Sequence, residues 1–117
     1  MSADILVSAS VVTYNDISRA AQTVNSIVTN TKKYPLKLYV IDNNSTDGTA
    51  DLVEKSGQAE VIRQSKNLGF GAAHNIALTK PMGKYHFVIN PDITINSDVI
   101  SDIVDYFESN PDVVMAM

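Results

Sequence analysis

Short apolar segments alternate with amphipathic helical segments along the chain, and this alternation limits the possible folds more than any other feature. Predicted strands cover residues 5–12, 36–41, 59–62 and 85–89. Predicted helices begin at Ile17, follow Asp47, span residues 72–79 and follow Ser97. Strand–helix–strand units of this kind form right-handed crossovers on a parallel sheet. We therefore predict one α/β domain over residues 1–117, with a mostly parallel sheet and helices on both faces.

Small polar residues and glycines mark the predicted helix ends. Asp16 or Ser18 is predicted to cap the first helix, and Ser97 the fourth, because aspartate and serine side chains accept hydrogen bonds from the free N–H groups of a helix start. Gly57 is predicted to end the second helix, since glycine readily adopts the left-handed conformation of a C-cap.

Charge and composition exclude several classes of function. The net charge is −4 and Lys and Arg form no block, which argues against binding a nucleic-acid backbone. Without cysteine, the chain has no disulfides or thiolate metal sites, and it suits a reducing compartment. No stretch approaches the roughly 18 apolar residues of a membrane span. An apolar run at 113–117 resembles the start of another strand, so we expect the chain to be a truncated part of a longer protein.

Small polar residues follow every predicted strand. The four clusters are Thr13-Tyr14-Asn15-Asp16, residues 42–48, residues 65–71 and Asn90-Pro91-Asp92. Because ligands bind beyond the carboxyl ends of the strands in open α/β sheets, parallel strands would gather all four clusters at one edge. We expect a polar cleft there, lined with amide, hydroxyl and carboxylate groups.

Several of these side chains have two interpretations. Tyr14 is either an interfacial aromatic or a flat ring against which a base stacks. Asp42 either accepts N–H groups in its own Asx-turn or accepts a hydrogen bond from a base or ribose. Capping of the next helix is favoured over ligand contact for three residues, Ser45, Thr46 and Asp47. Asn67 and Asn75 either tie loops together or face a ligand.

The candidate metal ligand is Asp92. It is either a turn residue beside Pro91 or a carboxylate placed at a strand end to hold a hard cation, which would neutralise a diphosphate. His74 and His86 are interpreted as structural or exposed residues, because a single histidine makes no metal site.

The four clusters together resemble glycosyltransferase family 2, with the greatest similarity to its rhamnosyltransferase-like branch. The matching segments are VVTYN, VIDNNSTDGT, NLGFGAAHN and VINPD, in this order. The resemblance implies a GT-A fold whose Rossmann-like N-terminal half binds a nucleotide-diphosphate sugar, a UDP- or dTDP-sugar.

Site residues are implied by position in the family pattern. The resemblance assigns nucleotide-sugar binding to Thr13, Tyr14, Asn15, Asp42, Asn43, Asn67, Gly69, Phe70, Asn75 and Asn90. It makes Asp92 the ligand of a divalent cation, Mg²⁺ or Mn²⁺. Many family members have a carboxylate at the position of Asn43. Asn90 replaces the first acid of the family's DxD motif, which implies weaker metal affinity.

The family's chemistry is an inverting displacement at the anomeric carbon, assisted by a carboxylate base. The resemblance implies that this base and the site for a saccharide or lipid-linked acceptor lie outside this chain, which we expect to be inactive alone. It also implies cell-surface polysaccharide synthesis at the cytoplasmic side of a membrane.

Two other functions compete with this one. The first is a non-catalytic nucleotide-binding or regulatory module on the same scaffold. The second is a nucleotidyltransferase, which should carry a glycine-rich basic loop after its first strand. The segment VVTYNDISRA has no glycine and a single arginine, Arg19, which argues against that second function.

Overall fold

The first strand, β1 (Val7–Thr13), is buried along its whole length, and the sheet is built around it. In the computed structural model, which describes residues 6–80, 83–91 and 93–110, β1 pairs in parallel with β2 (Leu36–Asp42) and β4 (Tyr85–Ile89). A short strand, β3 (Glu60–Arg63), pairs in parallel with the other side of β2, which gives the order β3-β2-β1-β4. The predicted parallel sheet is confirmed. The apolar run at 113–117 lies outside the described residues.

Helices follow each of these strands and cover both faces of the sheet. They are α1 (Ile17–Asn30), α2 (Thr49–Ser56), α3 (Phe70–Ala77) and α4 (Val99–Ser109). None of the helices in the described part of the chain is both long and apolar enough to cross a bilayer.

The two faces of β1 contact different helices, because successive side chains of a strand point to opposite sides. On one face, Val7, Ala9 and Val11 belong to a buried cluster with residues of α1, α2 and α4. On the other face, Val12 belongs to a smaller cluster with two small residues of α3, Ala73 and Ala77. Burial on both faces explains why β1 has no exposed position.

The start of α4 differs from the prediction. Asp98, not Ser97, is the N-cap, and its carboxylate accepts a hydrogen bond from Ser101 N at 3.1 Å. The same carboxylate accepts hydrogen bonds from the backbone N–H groups of Lys32 and Lys33, at the end of α1. These tertiary contacts select Asp98, so the prediction of Ser97 as the cap was wrong.

The other predicted end residues behave differently from one another, and Ser18, the alternative cap of α1, lies inside that helix. Asp16 occupies the N-cap position of α1, but its carboxylate pairs with Arg19 at 3.2 Å and caps no helical N–H. Gly57 is the C-cap of α2 in the left-handed conformation, with φ of +69°, as predicted.

Among the element boundaries that differ from the prediction, three place candidate site residues. β1 and β2 each run one residue further than expected and end at Thr13 and Asp42, which are direct register partners. Helix α3 begins at Phe70, two residues earlier than predicted. Thr13 and Asp42 are therefore held by the sheet itself, and Phe70 by the first turn of a helix.

Candidate functional site

A cavity of about 400 Å³ opens at the carboxyl ends of the central strands. Its lining residues come from β1, all four polar clusters and the first turn of α1: Val12, Thr13, Tyr14, Asn15, Asp16, Arg19, Asn43, Asn67, Gly69, Phe70 and Pro91. A cavity of this volume lies within the range of sites for small molecules and cofactors, about 300–1,000 Å³.

Thr13 and Asp42 are the last residues of β1 and β2, at the carboxyl ends of the strands. Both are almost fully buried, with 1% and 3% of their surface exposed. One carboxylate oxygen of Asp42, Oδ2, accepts a hydrogen bond from Ser45 N at 2.9 Å, which is the Asx-turn, one of its two predicted interpretations. The other oxygen, Oδ1, and the hydroxyl of Thr13 are buried without a hydrogen-bond partner among the described residues. Since a buried polar atom without a partner destabilises the fold, both are candidates for bonds to a ligand.

Asn15 joins the loop after β1 to the loop after β2. It adopts φ of +46°, which asparagine tolerates better than most residues. Its backbone N–H donates to Ser45 Oγ at 2.8 Å, and its Oδ1 accepts from Thr46 N at 2.7 Å. Ser45 and Thr46 therefore bind the first loop and do not cap α2, in contrast to the prediction.

Asp47 does bind the start of α2, as predicted for it. Its Oδ1 accepts from Thr49 N at 3.0 Å and from the Thr49 hydroxyl, and its Oδ2 accepts from Ile17 N at 3.2 Å. These bonds, led by the one from the Thr49 hydroxyl, hold the pKa of Asp47 below its ordinary value. One carboxylate thus fixes the starts of α1 and α2 together.

A short segment of residues 67–70, here called the 67–70 loop, ends on the first residue of α3 and contributes one side of the cavity. The Asn43 side chain donates from Nδ2 to Gly69 O at 3.2 Å and accepts from Leu68 N through Oδ1 at 3.4 Å. Within the loop, Asn67 Oδ1 accepts from Gly69 N at 2.8 Å. Asn67 therefore ties its own loop, which is one of its two predicted roles, and it also lines the cavity.

Two aromatic rings and one cation line the cavity. Tyr14 and Phe70 are each 50% exposed and present ring surface to solvent. Arg19 supplies a positive charge, and its guanidinium pairs with Asp16. Arg19 and Asp16 are not among the site residues predicted from the sequence. Their position in and before the first turn of α1, directly after the first polar cluster, is the signal that could have identified them.

Four residues of the predicted site are not among the lining residues. Asp42 is buried at the end of β2, next to the lining residues Thr13 and Asn43. Asn75 is exposed on α3, and Asn90 is exposed after β4. Asp92 lies outside the described residues. Its neighbour Pro91 does line the cavity, and its carbonyl accepts a hydrogen bond from the hydroxyl of Thr23 at 2.8 Å. Among residues 6–80, 83–91 and 93–110, no three His, Asp or Glu side chains are grouped to hold a metal ion.

Two histidines, one on α3 and one on β4, are joined by hydrogen bonds to serines of β1. Ser10 Oγ lies 2.8 Å from His74 Nδ1 and 3.1 Å from His86 Nε2, and Ser8 Oγ lies 2.8 Å from His86 Nδ1. Burial lowers the pKa of both histidines, and the proximity of His86 lowers that of His74 further. The His74 ring also meets the Phe70 ring edge-on, with centroids 4.5 Å apart. Of the two predicted alternatives, structural or exposed, this packing gives the structural one for His74, which is buried, and His86 is partly buried.

Comparison with known sequences identifies the family. Residues 8–117 match the profile described as Glycosyl transferase family 2. The chain belongs to glycosyltransferase family 2. It is 29% identical over 109 residues to an uncharacterized glycosyltransferase of Rickettsia felis, and 28% identical to a second one from Rickettsia conorii. Each match covers 92% of this chain and 18% of the relative, so the chain spans less than a fifth of these family members.

Solved structures show the same fold. This family 2 chain superposes on TarS 1–349 of S. aureus in complex with UDP with a TM-score of 0.78 and 26% identity, over 88% of this chain and 32% of the TarS chain. It superposes on the mannosyltransferase PcManGT of Pyrobaculum calidifontis, in complex with GDP-Man and Mn²⁺, with a TM-score of 0.79 and 22% identity, over 86% of this chain and 32% of that one. The predicted Rossmann-like half of a GT-A fold is confirmed.

Proposed function

We propose that this chain forms the donor site of a glycosyltransferase that transfers a sugar from a nucleotide-diphosphate sugar to an acceptor hydroxyl. The observation that carries the proposal is the pair of buried, unpartnered oxygens of Thr13 and Asp42 at the edge of the sheet that bears the cavity. The family and the similarity to TarS, which was solved with UDP, support the same interpretation.

The nucleoside is proposed to lie over Thr13 and Asp42. A uracil or thymine base carries an N–H between two carbonyl groups, and a buried carboxylate oxygen without a partner is a suitable acceptor for that N–H. The exposed ring of Tyr14 supplies a flat surface on which the base stacks. UDP- and dTDP-sugars are accordingly the proposed donors.

The diphosphate is proposed to lie toward Arg19 and the segment Asn90-Pro91-Asp92. Arg19 lines the cavity and supplies a guanidinium that can bind phosphate. This positive charge matters because the chain as a whole has a net charge of −4. Asp92 is the proposed ligand of Mg²⁺ or Mn²⁺, as the family pattern implies, with Asn90 and Asn75 near the donor. A bound divalent cation would stabilise the negative charge that develops on the departing diphosphate.

In the proposed reaction, the acceptor oxygen forms a bond to the anomeric carbon while the bond to the diphosphate breaks, which inverts the configuration. The acceptor proton passes to a carboxylate base. We assign neither this base nor the saccharide or lipid-linked acceptor to any residue of this chain. Polysaccharide synthesis at the cytoplasmic face of a membrane is the proposed setting.

Calorimetric titration of UDP, dTDP and GDP, each with and without Mg²⁺ or Mn²⁺, tests the donor site. We expect a pyrimidine diphosphate to bind more tightly with metal, and Asp92→Ala to remove the metal-dependent part of the affinity. Asp102→Ala is the matched control, because Asp102 is an exposed carboxylate on α4 that does not line the cavity. A folded protein that binds none of the three diphosphates would overturn the proposal.

A further inference from the structure

We propose that Asn43 is a positioning residue whose amide holds the 67–70 loop beside the cavity. The inference depends on the proposed function only for its consequence on nucleotide affinity. The hydrogen bonds that carry it lie within the protein.

The Asn43 side chain binds the loop with both ends of its amide. It is 97% buried, with 3% of its surface exposed, and both ends of its amide have backbone partners, Gly69 O and Leu68 N. The orientation of the amide follows from these partners, because a carbonyl only accepts and an N–H only donates. Its own backbone N–H donates to Thr13 O at 2.9 Å, which ties the same residue to the end of β1.

The partners of Asn43 control the start of α3. Gly69 has φ of +83° and ψ of 170°, a conformation that is essentially restricted to glycine. Its carbonyl accepts from Asn43 and also from Ala73 N at 3.2 Å, which is a hydrogen bond of the first turn of α3. A shift of this carbonyl therefore moves the start of the helix and the ring of Phe70, which lines the cavity next to it.

The bonds to Gly69 O and from Leu68 N require a side chain of the same length as asparagine that carries both a donor and an acceptor. An ionised aspartate at position 43 has no proton to donate to Gly69 O, and it places a second carboxylate beside Asp42. A protonated aspartate has one donor and one acceptor oxygen and can restore the pair of bonds. The proposal therefore predicts that Asn43→Asp is defective at neutral pH and recovers in acid.

Hydrogen exchange of the ligand-free protein, at its full native length, tests the role of Asn43 directly. We expect the Leu68 amide to be protected in the unchanged protein and to exchange about tenfold faster or more in Asn43→Ala and in Asn43→Asp at neutral pH. After correction for the intrinsic rate at each pH, the defect of Asn43→Asp should shrink below about pH 4, where the carboxyl is protonated. The defect of Asn43→Ala should not.

Asn44→Asp is the matched control for charge, because the substitution adds the same charge one residue away. Asn44 is exposed, and its φ of +70° is one that aspartate also tolerates. Affinity for UDP should fall about tenfold or more in Asn43→Asp and less than about threefold in Asn44→Asp. A Leu68 amide that exchanges at the unprotected rate in the unchanged protein overturns the inference, even if the variants fail to fold. Failure of the unchanged protein to bind any nucleoside diphosphate overturns the proposed function and leaves the exchange result to decide the role of Asn43.

Discussion

Thr13 and Asp42 are register partners at the ends of β1 and β2, and each has one buried oxygen that no other described residue satisfies. Asp42→Asn keeps an oxygen for the Ser45 N–H and removes the negative charge. We expect UDP affinity to fall about 10- to 100-fold, because a hydrogen bond to a charged group contributes about 1.5–3 kcal/mol. Calorimetric titration of each variant measures the change.

Thr13→Val separates a ligand contact from a role in folding. Valine has nearly the shape of threonine and lacks the buried hydroxyl, so we expect the free energy of unfolding to stay the same or rise, since no internal hydrogen bond is lost. Nucleotide affinity should nevertheless fall. Unchanged affinity in both Thr13→Val and Asp42→Asn would contradict the assignment of this pair to the donor.

Tyr14 is predicted to stack on the base. Tyr14→Ala should weaken UDP binding by about 1–3 kcal/mol, the usual contribution of a base–aromatic stack. Tyr106→Ala is the matched control, because Tyr106 is 52% exposed on α4, compared with 50% for Tyr14, and it does not line the cavity. Titration of UDP and of ribose 5-phosphate distinguishes the two outcomes: loss of affinity for both ligands would show that Tyr14 does not act on the base.

The regular elements could be predicted from the sequence because they depend on local periodicity. The alternation of apolar strands with amphipathic helices predicted the four described strands, their parallel arrangement and the helices on both faces. The four polar clusters also follow from that pattern, since the ends of parallel strands share an edge.

The detailed roles within the clusters depend on contacts between distant segments, which local sequence does not contain. Serine is a favoured residue type at a helix N-cap, and Ser45 was predicted to be one. Asn15 is close enough to bind Ser45 only because β1 and β2 end side by side. Ser97 and Asp98 are both suitable caps, and the backbone N–H groups at the end of α1 favour Asp98. The role of Asn43 likewise requires the 67–70 loop to lie next to it.

The Asp98 cap gives a prediction for stability. Asp98→Ala should lower the free energy of unfolding by about 1 kcal/mol, the typical value for loss of a helix cap, whereas Ser97→Ala should change it little. Burial raises the pKa of Asp98, but the N–H groups of Lys32, Ser101 and Lys33 outweigh it and hold the pKa below its ordinary value. The carboxylate therefore stabilises the fold above about pH 4 and loses this effect as the pH falls through its folded-state pKa. Urea denaturation at neutral and acidic pH measures both effects, and equal destabilisation by the two variants would contradict the cap.

The joined histidines predict a loss of stability in mild acid. Burial lowers the pKa of His74 and His86 in the folded state, so the folded protein binds fewer protons than the unfolded chain, whose histidines titrate near pH 6.5. The free energy of unfolding should therefore fall as the pH drops below about 6.5 and continue to fall until the folded-state pKa values are passed. Urea denaturation at about pH 7.5 and about pH 5.5 measures how the free energy of unfolding changes with pH, above the range in which Asp98 titrates.

The double variant His74→Gln with His86→Gln should reduce this pH dependence, because glutamine can still bond to the Ser10 hydroxyl but does not titrate. A slope that is the same in the double variant would show that other groups cause the acid sensitivity.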